Sequence, residues 1–318
     1  MTSKPDMHFE TQKTGSQGVK VLLLLVGIMA LYAASWVWSG QVLTEAPPLW
    51  AVVIRLSASL AVILLVNHFN RSDTASETHD GPTLPQTLVL SALGFAGFFC
   101  FTYFALQSIP PSLLVLVLSG IPILTFLQGA LFFGAPLAAL SIAGTVLIAG
   151  ATALFAMRLG VDGTTMTAND SLIGIGYGVL AAIGYSFYGL LYKKWAVSAP
   201  VVRLLPRLIA PSIIGIVMIA LVFEGSPLNI SVRTILELIV IGAILAAPVY
   251  MMYNTLILIS GPLAASSISV CAPISTFLLD TLVSEQRGLT MIDFALVLAA
   301  SVGVVLLVLF NQPKAKTS

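Results

Sequence analysis

The chain has 318 residues, 58% hydrophobic and 8% charged, with a formal net charge of +1. Soluble domains carry about 25% charged residues as a polar skin, so a chain this poor in charge must face lipid over most of its surface. The near-neutral balance argues against nucleic acid, which needs a clustered basic face, and the apolar runs around Cys100 and Cys271 make both buried thiols rather than a disulfide or metal site.

Residues 1–19 form a polar tail of mixed charge, unlike a secretory signal, whose apolar core starts sooner and ends in a cleavage site. A membrane helix needs roughly 20 apolar residues to cross about 30 Å of hydrocarbon. Stretches of that kind run near 20–40, 49–68, 87–107, 112–133, 137–157, 172–192, 204–223, 234–256, 262–283 and 291–310. The expected fold is therefore an all-α integral membrane protein of ten transmembrane helices. Between them lie turn-like or charged breaks at Glu45-Ala-Pro-Pro48, Pro110-Pro111, Gly134-Ala-Pro136, Ser260-Gly-Pro262 and Glu285-Gln-Arg-Gly288. The longer connections, 69–86 and 158–171, are rich in Ser, Thr, Asp and Gly and read as solvated loops.

Positive charge sets the orientation. With the N-terminus in the cytoplasm, Lys4, Lys13, Lys20, Arg71, Lys193, Lys194, Arg203, Arg207, Lys314 and Lys316 fall inside. Arg158, Arg233 and Arg287 fall outside, and Arg55 lies within a helix. Both termini are then cytoplasmic.

An internal repeat runs through the chain. Pro122-Ile-Leu-Thr-Phe-Leu127 returns as Pro273-Ile-Ser-Thr-Phe-Leu278, and Tyr103-Phe-Ala-Leu106 as Tyr253-Asn-Thr-Leu256. Ala33, Trp36 and Gly40 pair with Ala182, Tyr185 and Gly189 in the same order. The domain reading is a cytoplasmic tail (1–19), a five-helix repeat (20–157), a periplasmic loop (158–171), a second five-helix repeat (172–310) and a cytoplasmic tail (311–318). An odd helix number inverts the second copy in the membrane, the arrangement by which many secondary transporters obtain two related conformations around a midplane site.

These residues resemble the drug/metabolite transporter superfamily, in particular its bacterial ten-helix members with two EamA-type repeats, over about residues 20–310. The likeness rests on Trp36-Val-Trp38-Ser39-Gly40, on Pro48 followed by Arg55, on Pro122 and Pro273, and on Glu285 before Gly288-Leu289-Thr290. One departure is Ala135, where the first half of such proteins commonly has glutamate. The resemblance implies a multi-pass protein of a bacterial inner membrane, and it tilts transport toward export.

Charged groups inside helices cost about 2.5–3.5 kcal/mol at mid-bilayer on insertion scales and each needs a reason. Arg55 sits roughly six residues, or about 9 Å, below the outer surface. It either snorkels to the headgroups or pairs with Asp280 or Asp293, both of which, like Glu237, sit at similar shallow depth. Asp280 is also the candidate for a proton-coupling carboxylate. Trp36, Trp38 and Tyr103 lie toward outer helix ends, whereas Tyr185, Phe187 and Tyr253, with Tyr188, Tyr250 and Asn254 nearby, lie toward inner ends. They read either as an interfacial belt or as paired gates lining a substrate cavity. Tyr192 and Trp195, beside Lys193 and Lys194, read as belt. Pro122, Pro248 and Pro273 are hinge candidates, each removing a helix hydrogen bond. Gly174-Ile-Gly-Tyr-Gly178 reads as a close helix contact.

The sequence contains no phosphate-binding Gly-x-x-x-x-Gly-Lys loop and no His-Glu-x-x-His zinc motif. His8, His68 and His79 all fall in polar segments. The expectation is a non-enzymatic secondary transporter without cofactor or metal, a monomer or homodimer in the lipid bilayer, with protons as the candidate coupling ion. Its substrate would be a small amphipathic or aromatic metabolite such as an amino acid. An uptake carrier for a vitamin or nucleoside-like cofactor, or a lipid-linked flippase, are the alternatives.

Overall fold

The computed structural model describes residues 14–70, 81–134, 168–227 and 230–266, with single positions between 143 and 154 and between 268 and 303. Every regular element among them is helical: α1 (Thr14–Val42), α2 (Pro48–Phe69), α3 (Leu84–Ser108), α4 (Pro111–Leu118), α5 (Ile121–Phe133), α6 (Ala168–Trp195), α7 (Val201–Phe223), α8 (Val232–Ser260) and α9 (Pro262–Ser266). Six segments are long and apolar enough to cross a membrane: Pro48–Phe69, Leu84–Ser108, Leu113–Phe133, Leu172–Trp195, Val201–Phe223 and Val232–Ser260. They coincide with six of the spans read from the sequence. A further span, 20–40, lies within the 29-residue α1. The spans expected at 137–157, 262–283 and 291–310 fall largely outside the described residues. Large apolar side chains such as Leu65, Leu88, Met218 and Leu236 point outward, where only lipid makes such a surface favourable.

One of the expected hinges stands elsewhere than in a helix interior. The 112–133 stretch breaks at Ser119–Gly120, which places Pro122 in the first turn of α5. A first turn has backbone donors without helical acceptors anyway, so proline's missing N–H costs little there. Pro248 lies inside the continuous α8, just after a π-helical segment, Ile241–Ala246. Pro206 and Pro211 lie inside α7 as well.

A second π-helical segment, Ala92–Gly97, interrupts α3. Each π segment is crossed by a helix that presents a serine to it. In α2, Ser59 Oγ donates to its own Arg55 carbonyl at 3.0 Å and contacts the Gly242 carbonyl at 2.8 Å. In α7, Ser212 Oγ lies 2.9 Å from its own Leu208 carbonyl and 3.0 Å from the Ser91 carbonyl. Both helices thus use one hydroxyl to hold a neighbouring helix at a position where its regular ladder changes. Gly242 makes the first crossing possible, because a Cβ there would lie 2.2 Å from the Arg55 carbonyl oxygen and 2.9 Å from Ala58 Cβ.

The glycine face of α6 forms the contact read from its spacing. A Cβ on Gly174 would meet Ile109 at 2.7 Å, and one on Gly178 would meet Val117 at 3.0 Å. Small residues allow such approach in a membrane, where backbone proximity and dispersion replace the hydrophobic drive.

Gly242→Ala is expected to destabilise the protein by about 1–3 kcal/mol, the usual cost of overpacking. Gly215→Ala, with nothing within 4 Å of the added methyl, is expected to leave the melting temperature in place. Thermal unfolding in detergent reads both, and equal effects would contradict the crossing.

Candidate functional site

The site is organised around Arg55. This side chain is 3% exposed, so it does not snorkel to the headgroups. Ser35 and Ser39, one turn apart on α1, face it across the α1–α2 contact. Arg55 Nη2 donates to Ser35 Oγ at 2.8 Å, and Nη1 donates to the Tyr103 hydroxyl at 2.9 Å and to Ser39 Oγ at 3.3 Å. Ser39 and Tyr103 also bond each other at 3.2 Å. The guanidinium carbon lies 5.0 Å from the Phe99 ring centre and 5.8 Å from those of Trp36 and Tyr103. Cation–π attraction of this kind strengthens when desolvated, to about 2 kcal/mol or more. No acidic side chain makes an ion pair with Arg55 among the described residues. Its expected partners Asp280 and Asp293, together with Glu285 and Pro273, lie outside those residues.

From Trp36 an unbroken series of aromatic rings descends through the molecule. Tyr32 meets Trp36 edge-on, Trp36 meets Phe98, and Phe98 stacks on Tyr185 with centroids 4.2 Å apart. Tyr185 stacks in turn on Tyr188 and Tyr253. Phe95 and Phe99 join Tyr250 to this series. Trp36 of the one set and Tyr185 and Tyr253 of the other, with Tyr188 and Tyr250, are thereby joined into one aromatic wall, which Trp38 and Tyr103 do not enter. Tyr188 donates to Asn254 Oδ1 at 2.5 Å, and Asn254 Nδ2 donates to the Tyr250 carbonyl at 2.8 Å. Tyr192, read as belt, is instead fully buried against Tyr188, while Trp195 is half-buried. Phe187 packs on Phe132 away from the wall.

Below Tyr32 lies a small cavity of about 20 Å³, lined among others by Ile28, Tyr32, Ile121, Tyr185, Tyr253 and Ser269. That volume admits a water molecule and little more. Nothing larger fits there unless the surrounding helices separate.

One face of the molecule is closed by polar contacts. Glu45 accepts from Thr234 Oγ1 at 2.8 Å, and Glu237 accepts from Arg233 at 2.9 Å and from Trp38 Nε1 at 3.4 Å. Glu224, just past α7, accepts from the backbone N–H groups of Leu49 at 3.0 Å and Trp50 at 3.2 Å, and Trp50 Nε1 donates to the Gly225 carbonyl. A carboxylate at a helix N-terminus satisfies orphan donors and complements the helix dipole. At the other end of α6, Lys193 donates to the Leu258 carbonyl and Lys194 lies over Phe133.

Sequence reasoning missed Ser35, Phe98, Phe99 and Glu224. The two serines and the two rings of Phe95 and Phe99 share helical faces by their four-residue spacing, a signal that is present but weak in apolar sequence. Nothing local marks Glu224, whose partners lie on another helix.

Residues 19–157 match the EamA-like transporter family. That stretch is therefore similar to a family of non-enzymatic transporters, and six of the described helices are long and apolar enough to cross a membrane. A solved crystal structure with 16% sequence identity superposes with a TM-score of 0.69, covering 93% of this chain and 99% of that one. At that identity the likeness establishes the shared fold alone. No curated protein matches the chain.

Ser35→Ala removes a hydrogen bond to a buried charge, which contributes about 1.5–3 kcal/mol. A lowered melting temperature is expected, with Ser35→Thr recovering most of it. A Ser35→Ala protein as stable as the parent would place the guanidinium elsewhere.

Proposed function

With an EamA-like transporter domain over residues 19–157, we propose that this chain is a secondary transporter that moves a small amphipathic or aromatic metabolite by alternating access. Its two halves, 20–157 and 172–310, are five-helix repeats inserted in opposite senses, with both termini in the cytoplasm of a bacterium and 158–171 outside. Transport runs in the direction of export.

The observation that carries this reading is the matched pair of crossings. Ser59 of α2 grips the π-interrupted α8, and Ser212 of α7 grips the π-interrupted α3. The same device therefore occurs once in each half and joins it to the other half. Glu224 links the end of α7 to the start of α2, so these two helices run antiparallel, as inversion requires. π segments free backbone bonds and permit a helix to change register, which makes them natural places for a rocking motion to be absorbed.

In alternating access, the closed polar face formed by Glu45, Thr234, Trp38, Glu237 and Glu224 is the outer gate. The aromatic wall is the partition that must part to admit substrate, with the cavity beneath Tyr32 as the starting point of the opening. Rings offer stacking area without charge, which suits an amphipathic or aromatic solute.

Purified protein in proteoliposomes is expected to exchange labelled aromatic amino acids or related metabolites, with a dependence on an imposed pH gradient if protons drive the cycle. Movement of a labelled lipid with no movement of any soluble metabolite would replace this reading with a flippase.

A further inference from the structure

Glu224 stands where three helix ends meet. Its carboxylate oxygens accept the Leu49 and Trp50 N–H groups at 3.0 and 3.2 Å, and the Ala51 N–H returns to the Pro47 carbonyl. Pro48 has no N–H, so the start of α2 keeps no donor free for an anion. The other two ends are C-termini. Pro110 and Pro111 follow α3 and cannot donate to its last carbonyls. After α7, the N–H groups of Glu224 and Gly225 both turn back to the Ala220 carbonyl. The carbonyls of Leu221, Val222 and Phe223 therefore receive no backbone donor among the described residues. Neither helix carries a basic residue in its last turn, where a cation would answer the negative end of the dipole.

A groove of about 470 Å³ opens between these ends, lined among others by Leu49, Phe104, Gln107, Phe223 and Glu224. That volume suits a small organic group and is far more than a bare metal ion fills. Each carboxylate oxygen keeps a lone pair after its bond to α2. Among the described residues no basic side chain makes a hydrogen bond or ion pair with Glu224. A carboxylate and two negative helix ends, beside two phenylalanine rings, favour a cation with an organic body. The Gln107 amide and the free carbonyls add acceptors, so an ammonium with N–H groups fits best.

The surroundings of the groove point to the source of that ammonium. Phe223 is 78% exposed, and Ile214, Met218 and Val222 are exposed along the same helix. They form an apolar stripe that ends at Glu224. In a membrane such a stripe faces acyl chains, and the helix end lies at the level of the headgroups. We infer that the groove binds the headgroup of an aminophospholipid, with its ammonium on Glu224 and its acyl chains along α7. A lipid seated there spans the ends of α2, α3 and α7 and steadies the closed face. The assignment does not depend on which solute the protein moves.

The test is native mass spectrometry of the full chain in detergent, titrated with phosphatidylethanolamine or phosphatidylglycerol of identical acyl chains. Phosphatidylethanolamine is expected to bind about tenfold more tightly, the factor that about 1.4 kcal/mol gives. Glu224→Gln is expected to remove most of that preference and to leave phosphatidylglycerol binding unchanged. Gln107 is exposed, so Gln107→Lys threatens no packing. It is expected to abolish or reverse the preference by placing a competing ammonium in the groove. Should Glu224→Gln unfold through its weakened cap on α2, Gln107→Lys decides the matter. Equal affinity for the two lipids, or a preference that neither variant moves, overturns the assignment. So does displacement of the phospholipid by free ethanolamine at equal concentration, which would make the occupant a soluble amine.

Discussion

A cation held away from water is the constraint around which the rest of this molecule is arranged. Arg55 can remain charged at its depth only because Ser35, Ser39 and Tyr103 supply acceptors and Phe99, Trp36 and Tyr103 supply ring faces. That demand fixes the rotation of α1, α2 and α3 about their axes. The same turn of α2 then presents Ser59 to α8, and Gly242 lets the two backbones meet. The charged centre and the crossing between halves are therefore one structural unit.

The aromatic wall continues this unit toward the other face. Its members touch edge-on or offset, geometries that stabilise ring pairs by about 0.5–1.5 kcal/mol beyond burial. They also present smooth surfaces that slide past one another at modest cost, unlike a lattice of hydrogen bonds. Carboxylate contacts lie instead at the closed face, where Glu45, Glu224 and Glu237 bind partners across helices. Under the alternating-access proposal, a molecule fastened at one face and packed by rings in the middle would open by separating a few polar contacts, and the small cavity under Tyr32 would grow as the rings part.

Much of this was legible in the sequence, for identifiable reasons. Apolar runs of membrane length give the six observed spans because lipid imposes one length on every crossing helix. The glycine spacing in α6 gave its contact with α3 and α4, since only small residues permit that approach. Arg55 could be singled out as costly but not placed, because snorkelling and burial differ only in which side chains surround it. The π segments were illegible, since a change of helix register leaves no compositional mark. Pro122 was read as an interior kink because apolar sequence hides the helix break before it. Paired clusters of aromatics were inferred from the repeat, yet their union through Phe98 depends on a residue the repeat does not mark.

Anticorrelated motion of the two faces is the heart of alternating access, and distances between spin labels measure it directly. One labelled pair, Thr44→Cys with Val232→Cys, spans the halves at the closed face. The other, Phe69→Cys with Ile259→Cys, spans them at the opposite face. In proteoliposomes, substrate or a pH change is expected to lengthen one distance as the other shortens. Two distances that stay fixed under every condition, or that lengthen together, would contradict the account.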